Sequence, residues 1–236
     1  MKKQISNFIS KYLLIIIIYI LFVTVITDLA ASVFKEFNFK NELLVSSLFN
    51  LLFYVVLLII YFSFIGKDLF YEFKEYTTKK NKLEQLGLGY VILIGAGASG
   101  SFILILLGLG DTVAVNQQVI EQMMKSEYML IVATAVIIGP IVEEIVFRKA
   151  IFSLFIDKWK FSPAVVLVFS SLLFGLIHVV FNLEDDIKEL LQLIPYFTRG
   201  LALGYIYLAN KRNLMYPVAV HLLNNFISVI IIIFAM

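Results

Sequence analysis

Residues 128–155, YMLIVATAVIIGPIVEEIVFRKAIFSLF, form the apolar stretch that decides the fold class. A helix of this length is sufficient to cross a bilayer, whose hydrocarbon core requires roughly 17 to 25 predominantly apolar residues. The charged residues within it are Glu143, Glu144, Arg148 and Lys149. The stretch therefore predicts a membrane-spanning helix that carries ionisable groups inside the bilayer.

The rest of the chain has the same apolar character. Of its 236 residues, 61% are hydrophobic and 15% are charged, and the mean hydropathy is +0.95. A soluble domain of this size cannot bury so much apolar surface. The formal net charge of +2, with scattered basic residues, argues against a nucleic acid partner. The chain has no cysteine, which excludes disulfides, thiolate metal sites and a cysteine nucleophile.

Seven stretches are long and apolar enough to span a membrane, and they predict an all-α polytopic membrane protein with about seven transmembrane helices. They are approximately residues 12–31, 43–66, 87–109, 128–155, 162–182, 190–209 and 213–235. The first is expected to be a retained span, because its apolar run is too long for a signal peptide. Residues 68–86 alternate apolar and lysine residues at helical spacing, which predicts a cytoplasmic amphipathic helix. Residues 1–110 thus form the N-terminal helices, and 128–232 form a second, polar-bearing core.

The distribution of basic residues predicts the orientation through the positive-inside rule. With a cytoplasmic N-terminus, most basic residues near the span ends face the cytoplasm: Lys2, Lys3, Lys11, Lys67, Lys74, Lys79, Lys80, Lys82, Lys149, Lys158, Lys160, Lys211 and Arg212. Lys35, Lys40, Lys125 and Lys188 lie outside, beside the acidic Glu184, Asp185 and Asp186. The residue usage, rich in lysine, isoleucine and asparagine, is typical of an AT-rich bacterial genome. We therefore expect a multi-pass protein of a bacterial plasma membrane.

Ionisable residues within a span need a partner or a function, because each costs about 2.5–3.5 kcal/mol to insert. Glu144 and Arg148 are one helical turn apart, so an ion pair can form between them. Glu143 has no such partner on its own helix and suits proton transfer. The alternative is that the pair is purely structural and that Glu143 faces a water-filled crevice. These residues alone leave the class of function open.

Both histidines of the chain fall inside predicted spans. A lone histidine in an apolar helix is usually a packing residue, but two histidines with a glutamate pair favour a functional site. His221 and Asn225 are four residues apart and share one helix face, where both could donate to a developing oxyanion. Asn224 lies further round the helix and could serve instead of Asn225. The alternative for either asparagine is an interhelical hydrogen bond.

The predicted sixth span contains two features of unequal weight. Gly200 and Gly204 form a small-xxx-small face, which mostly indicates close helix packing. Arg199 is more unusual in a span, and it either pairs with a carboxylate or extends toward the interface.

Four motifs follow each other along the chain: Glu143-Glu144-x-x-x-Arg148, Phe174-x-x-x-His178, the Gly200/Gly204 helix and His221-x-x-x-Asn225. In this order they resemble the motifs of the CAAX-protease and bacteriocin-processing (CPBP) family of intramembrane proteases. The resemblance covers roughly residues 128–232. It implies hydrolysis of a peptide bond in a peptide or membrane protein, within or at the edge of the bilayer. A short bacterial precursor peptide is a more natural substrate for such a member than a prenylated protein.

The resemblance also implies a role for each matching residue. Glu143 is the expected general base and activates water together with His178, and His221 and Asn225 stabilise the oxyanion. Glu144 and Arg148 hold Glu143 in place, and Phe174 forms a wall of the cavity. The predicted catalytic residues are therefore Glu143, His178, His221 and Asn225, and the supporting residues are Glu144, Arg148 and Phe174.

The residues alone leave the cofactor undecided. Glu143, His178 and His221 are suitable ligands for a catalytic zinc ion with an open water position. The same side chains also work without metal, as base and oxyanion donors, and we slightly favour that mechanism. The polar groups require a cavity near mid-membrane, which we expect to open toward the cytoplasm.

Two other functions compete with proteolysis. A non-proteolytic protein for bacteriocin self-immunity or regulatory binding could use the same fold, because a scaffold does not establish an activity. A proton-coupled transporter could use Glu143, His178 and His221 as a relay, but it predicts inverted repeats, which the sequence does not contain.

Overall fold

The computed structural model describes residues 2–26, 32, 36, 41–110, 115–125, 128–180 and 187–235. These residues are helical and contain no strand, which confirms the predicted all-α class. The helices are α1 (Lys2–Leu21, extended by a π-helical turn at Phe22–Ile26), α2 (Glu42–Thr78), α3 (Lys82–Leu106), α4 (Val115–Met124), α5 (Tyr128–Lys158), α6 (Pro163–Val179), α7 (Leu193–Ala209, preceded by a 3₁₀ turn at Ile187–Gln192) and α8 (Met215–Ala235).

Each of the seven predicted spans overlaps one of these helices. In the described part of the chain, α2, α3, α5 and α8 are long and apolar enough to cross a membrane unaided. The apolar stretches Lys11–Val25 and Pro163–Val179 are shorter, and α7 is 17 residues long and carries Arg199. The chain is therefore a multi-pass membrane protein built entirely on helices in its described residues.

The segment 68–86 differs from the expected separate amphipathic helix. Helix α2 continues without a break to Thr78, and α3 begins at Lys82, so the segment is the end of one helix, a turn and the start of the next. Ile65 and Leu69 are both buried and extend the i, i+4 apolar stripe of α2. Because this stripe packs against the core without interruption, nothing ends the helix at the predicted boundary.

Helices α3, α6 and α7 pack closely because small residues lie between them. A Cβ atom added to Gly200 would lie 3.0 Å from the Cα of Ser171 on α6, and one added to Gly100 on α3 would lie 2.7 Å from the Cα of Pro195 on α7. Backbones can approach this closely only where a side chain is missing. The small-xxx-small face of α7 is therefore a packing face.

Helix α5 is irregular around its glutamate pair. Stretches of π-helix occupy Val132–Ile138, Ile145–Ala150 and Ser153–Lys158, with an ordinary α-helical turn at Gly139–Glu144. A π-helical turn accommodates an extra residue and rotates the side chains that follow, and such turns are frequent at functional sites. The local winding of α5 thus sets the directions of Glu143 and Glu144 independently of the rest of the helix.

Ion pairs join the helix ends at the basic side of the bundle. Glu72 of α2 accepts from Lys149 of α5 and, at 2.7 Å, from the backbone N–H of Leu214. Arg212, between α7 and α8, donates to both oxygens of Asp157 at 2.7 Å. This bidentate hydrogen bond raises the pKa of the Arg212 guanidinium above its usual value. These contacts join α2 and α5 to the connection between α7 and α8 at this end.

Candidate active site

A cavity of about 350 Å³ lies inside the bundle, at the end opposite the basic ion pairs. Its wall is formed by the C-terminal halves of α1 and α6, the N-terminal halves of α2 and α5, and residues of α7 and α8. Helix α3 contributes Leu93, and α4 contributes Gln117, Ile120 and Met123. The helices that contribute Glu143, His178 and His221 thus bring these side chains to one depth. The polar residues of this wall are Asn50, Gln117, Thr134, Glu143, His178, Arg199, His221, Asn224, Asn225 and Ser228, with the tyrosines 19, 54 and 196.

Glu144 and Arg148 form the predicted ion pair behind this wall. Arg148 Nη1 lies 3.0 Å from Glu144 Oε1, and the two side chains are only 1% and 0% exposed. The Nη2 atom of Arg148 donates to the backbone oxygen of Gly200 at 3.1 Å. The guanidinium also lies over the ring of Phe174, with 4.6 Å between Cζ and the ring centroid. A buried charge pair needs such additional contacts to offset its desolvation.

His221 links this pair to the cavity. Its Nδ1 lies 2.9 Å from Glu144 Oε1, and its Nε2 lies 3.9 Å from Glu143 Oε2. Since a carboxylate only accepts, the hydrogen on Nδ1 is directed to Glu144 and Nε2 faces Glu143. The imidazole therefore stands between the two glutamates, in contact with the supporting pair on one side and with the cavity on the other.

His178 is fixed by two contacts from its surroundings. Its Nδ1 donates to the backbone oxygen of Phe174 at 2.7 Å, since a carbonyl only accepts. The Tyr196 ring of α7 stacks on the imidazole, with 4.4 Å between centroids and 24° between planes. In its neutral form His178 therefore presents the lone pair of Nε2. No ion pair within 4 Å joins it to Glu143 among the residues that the structure describes.

Two asparagines one turn beyond His221 complete the polar wall. Asn225 Nδ2 donates to the backbone oxygen of Ala135 on α5 at 2.8 Å, and Asn224 Nδ2 donates to Asn225 Oδ1 at 3.1 Å. The amide of Asn225 is thus held from both ends and keeps one further N–H. Asn225 makes the interhelical hydrogen bond that was the alternative reading, and both asparagines line the cavity.

The cavity gathers the four residues predicted to be catalytic: Glu143, His178, His221 and Asn225. Phe174 also lines it, whereas Glu144 and Arg148 are absent from its wall. Sequence reasoning missed Tyr196, and no pattern within α7 indicates that its ring would stack on a histidine of α6. Arg199 lies in the wall beside Gly97 of α3. Pairing with a carboxylate was one of its two expected roles, and no carboxylate among the described residues pairs with it.

The residues proposed for zinc do not assemble into a ligand set in this structure. In the described part of the chain, no three His, Asp or Glu side chains are grouped to hold a metal ion. The Nδ1 atoms of both histidines are already engaged, and only their Nε2 atoms face the cavity.

Two predictions are in conflict at the cavity: that the N-terminus is cytoplasmic and that the cavity opens toward the cytoplasm. Lys67, Lys149 and Arg212 lie at the opposite end of the bundle from the cavity, and the positive-inside rule places that basic end in the cytoplasm. A cavity opening toward the cytoplasm is then incompatible with a cytoplasmic N-terminus. Several charges used for the orientation, those of Lys35, Lys40, Glu184, Asp185 and Asp186, lie outside the described residues.

Comparisons with known proteins agree with the sequence motifs. Residues 125–227 match the family described as "Type II CAAX prenyl endopeptidase Rce1-like". A Bacillus subtilis protein with the name "Putative membrane peptidase YdiL" is 32% identical over 141 residues, which are 60% of this chain and 52% of that protein. An uncharacterised protein of Mycoplasma capricolum is 28% identical over 218 residues, 87% of this chain and 62% of the relative. The chain thus spans between half and two thirds of these relatives, and no solved structure matches it.

Proposed function

The chain belongs to the CPBP family, and on that premise we propose that it is an intramembrane endopeptidase. Its substrate is a membrane-associated peptide or membrane protein, whose peptide bond is hydrolysed inside the cavity between α5, α6, α7 and α8. The family relationship supports peptide-bond hydrolysis, and the geometry of the cavity suggests which residue performs each step.

One observation carries the proposal. Glu143, His178, His221 and Asn225 come from three different helices and line a single cavity, while the charged pair Glu144 and Arg148 is buried behind it. A structural polar network would satisfy all of its members internally. Here the carboxylate of Glu143 and the Nε2 atoms of both histidines line the cavity and make no hydrogen bond to the described residues, as groups that act on a substrate must.

Glu143 and His178 activate the attacking water in the proposed reaction. Glu143 accepts a proton from the water as its oxygen attacks the peptide carbonyl. The neutral His178 accepts a hydrogen bond at Nε2 from the other O–H of the water, which stays on the oxygen, and so orients the nucleophile. Glu143 then transfers the proton to the amine that leaves when the C–N bond breaks. The carboxylate ends the cycle as it began, and the products are a free acid and a free amine.

The developing oxyanion is stabilised from α8. Asn225 donates the N–H that Ala135 does not occupy, and its amide needs no reorientation because Asn224 holds its oxygen. His221 donates from Nε2 when it carries two protons. In that state its positive charge, with Arg148, balances the negative charges of Glu143 and Glu144, since all four groups lie in one contact network.

The test uses purified, detergent-solubilised protein and a mixed octapeptide library analysed by mass spectrometry. Glu143→Gln and His178→Gln should lower the cleavage rate by about 10²–10⁴-fold, the usual contribution of a positioned proton acceptor. Glu84→Gln removes an exposed carboxylate at the start of α3 and should cleave at the wild-type rate. Parallel reactions with and without a chelator measure any dependence on metal.

The outcomes separate the competing functions. If the wild-type protein cleaves no peptide, or if folded Glu143→Gln protein cleaves as fast as the wild type, proteolysis at this site is excluded. Protection of cells against a bacteriocin that persists in the Glu143→Gln variant would then indicate a non-proteolytic immunity protein. Proton uptake by proteoliposomes that disappears in that variant would indicate transport.

A further inference from the structure

Arg199 is an intramembrane cation that the proposed reaction does not use. It lies on α7, and its side chain lines the cavity together with Tyr196 and Leu203, which occupy the same helix face. Neither a hydrogen bond nor an ion pair of Arg199 is found among the residues that the structure describes. Inserting a charged side chain into a membrane span costs free energy, and such residues usually lie along the path of a ligand or ion.

Arg148 has the contacts expected of a purely structural cation. That guanidinium is 1% exposed, pairs with Glu144, donates to Gly200 and stacks on Phe174. Arg199, two helices away along the chain, pairs with no carboxylate among the described residues and is only partly buried. In the described part of the chain, this difference leaves the guanidinium of Arg199 available to a carboxylate that enters the cavity.

The packing of α3 leaves room for the Arg199 side chain. A Cβ atom at Gly97 would lie 2.9 Å from Arg199 Nε and 3.3 Å from its Cζ. The guanidinium therefore crosses the α3 backbone where a side chain is missing, and its position depends on that glycine. On the same face of α7, three residues earlier, Tyr196 stacks on His178. One helix face thus connects the cation to a residue of the proposed reaction centre.

We infer that Arg199 binds a carboxylate of the peptide substrate and so determines which peptides are cleaved. The inference rests on the proposed function, because it assigns the cavity to a peptide. Arginine suits this role, since its planar fork can donate two parallel hydrogen bonds to one carboxylate. The carboxylate is either the C-terminus of the peptide or an acidic side chain near the cleaved bond, and the two sources are separable by peptide chemistry.

The experiment uses one octapeptide library in three forms: with a free C-terminus, as C-terminal amides, and with Asp and Glu replaced by Asn and Gln. Loss of the recognised carboxylate should lower kcat/KM of the wild-type protein about ten- to a hundredfold, the value of hydrogen bonds between charged groups. Arg199→Gln should lower kcat/KM by the same factor for each form that keeps the recognised carboxylate, and should leave kcat/KM unchanged for the form that lacks it. The change should appear in KM rather than in kcat.

Two further variants sharpen the test. Gly97→Ala places a methyl group against the guanidinium and should weaken the preference for the carboxylate while Arg199 is still present. Lys125→Gln removes an exposed positive charge at the end of α4 and should retain the full preference. Equal kcat/KM of wild type and Arg199→Gln on every form of the library would overturn the inference and leave the proposed protease intact.

A binding measurement keeps the two proposals apart. Fluorescent versions of the three libraries are titrated into Glu143→Gln protein, with and without Arg199→Gln. Tighter binding of the carboxylate form that requires Arg199 supports the inference even if the wild-type protein cleaves nothing, in which case only the protease is rejected. Binding that ignores the carboxylate, or no binding by any form, overturns the assignment of Arg199.

Discussion

The Nδ1 atom of His221 lies 2.9 Å from Oε1 of Glu144, the same oxygen that accepts from Arg148 at 3.0 Å. One carboxylate oxygen therefore holds both the structural cation and the histidine of the cavity, while Oε2 of Glu144 has no partner among the described residues. The second glutamate of the motif does not reach the cavity and acts on it through His221. We therefore expect substitutions of this pair to affect both the stability of the protein and its proposed activity.

Arg148→Met should destabilise the protein by about 3–5 kcal/mol, because it leaves the buried Glu144 carboxylate without its cation. The double variant Glu144→Leu, Arg148→Met should regain much of that loss, since no charge remains buried, but should stay inactive because His221 has lost its partner. Thermal unfolding in detergent and peptide cleavage measure the two effects. Lys158→Met, an exposed cation near the end of α5, is the control. A wild-type melting temperature for Arg148→Met would contradict the prediction.

The two asparagines of α8 should differ in their effect on catalysis. Asn225→Ala removes the donor to the oxyanion and the hydrogen bond to Ala135, and should lower kcat about 10²–10³-fold. Asn224→Ala removes only the contact that orients Asn225 and should have a smaller effect. Single-turnover cleavage of the best library peptide measures both rates. A greater loss in Asn224→Ala would assign the oxyanion to Asn224 instead.

The short-range features of the fold and site could be predicted from the sequence because they depend on spacing along one helix. The spans follow from apolar length, and the pairing of Glu144 with Arg148 follows from their i, i+4 separation. The separate helix at 68–86 was not found because Ile65 and Leu69 continue one buried stripe across the expected boundary. Amphipathicity reveals two faces of a helix but does not show where it begins.

Contacts between distant helices could not be predicted in the same way. The stacking of Tyr196 on His178 and the passage of Arg199 over Gly97 depend on how α3, α6 and α7 are placed against each other. The π-helical stretches of α5 also rotate its side chains in a manner that an ideal 3.6-residue period does not include. For the same reason, the contact of His221 with Glu144 could not be predicted from the sequence.

Gly200→Ala should destabilise the protein by about 1–3 kcal/mol, because its new methyl group would lie 3.0 Å from the Cα and 3.2 Å from the backbone oxygen of Ser171. A backbone cannot move aside as a flexible side chain can. Gly95→Ala is the matched control, since no atom lies within 4 Å of its Cβ, and it should stabilise α3 by up to about 1 kcal/mol. Melting temperatures in detergent compare the two. Equal shifts would show that α6 and α7 are less closely packed than described.

The orientation of the bundle decides from which side a substrate of the proposed protease would enter, and cysteine labelling can measure it. The chain contains no cysteine, so single cysteines introduced at Lys80 and Lys125 can be labelled without background. Lys80 lies in the exposed turn between α2 and α3, and Lys125 ends α4, the helix that contributes to the cavity wall. If the positive-inside rule holds, a membrane-impermeant maleimide should label Lys125→Cys in intact cells and Lys80→Cys only after lysis. Substrates would then approach from the outer face. The reverse labelling would place the N-terminus outside and the cavity toward the cytoplasm. The orientation predicted from the basic residues would then be wrong, and the predicted opening of the cavity toward the cytoplasm would be right.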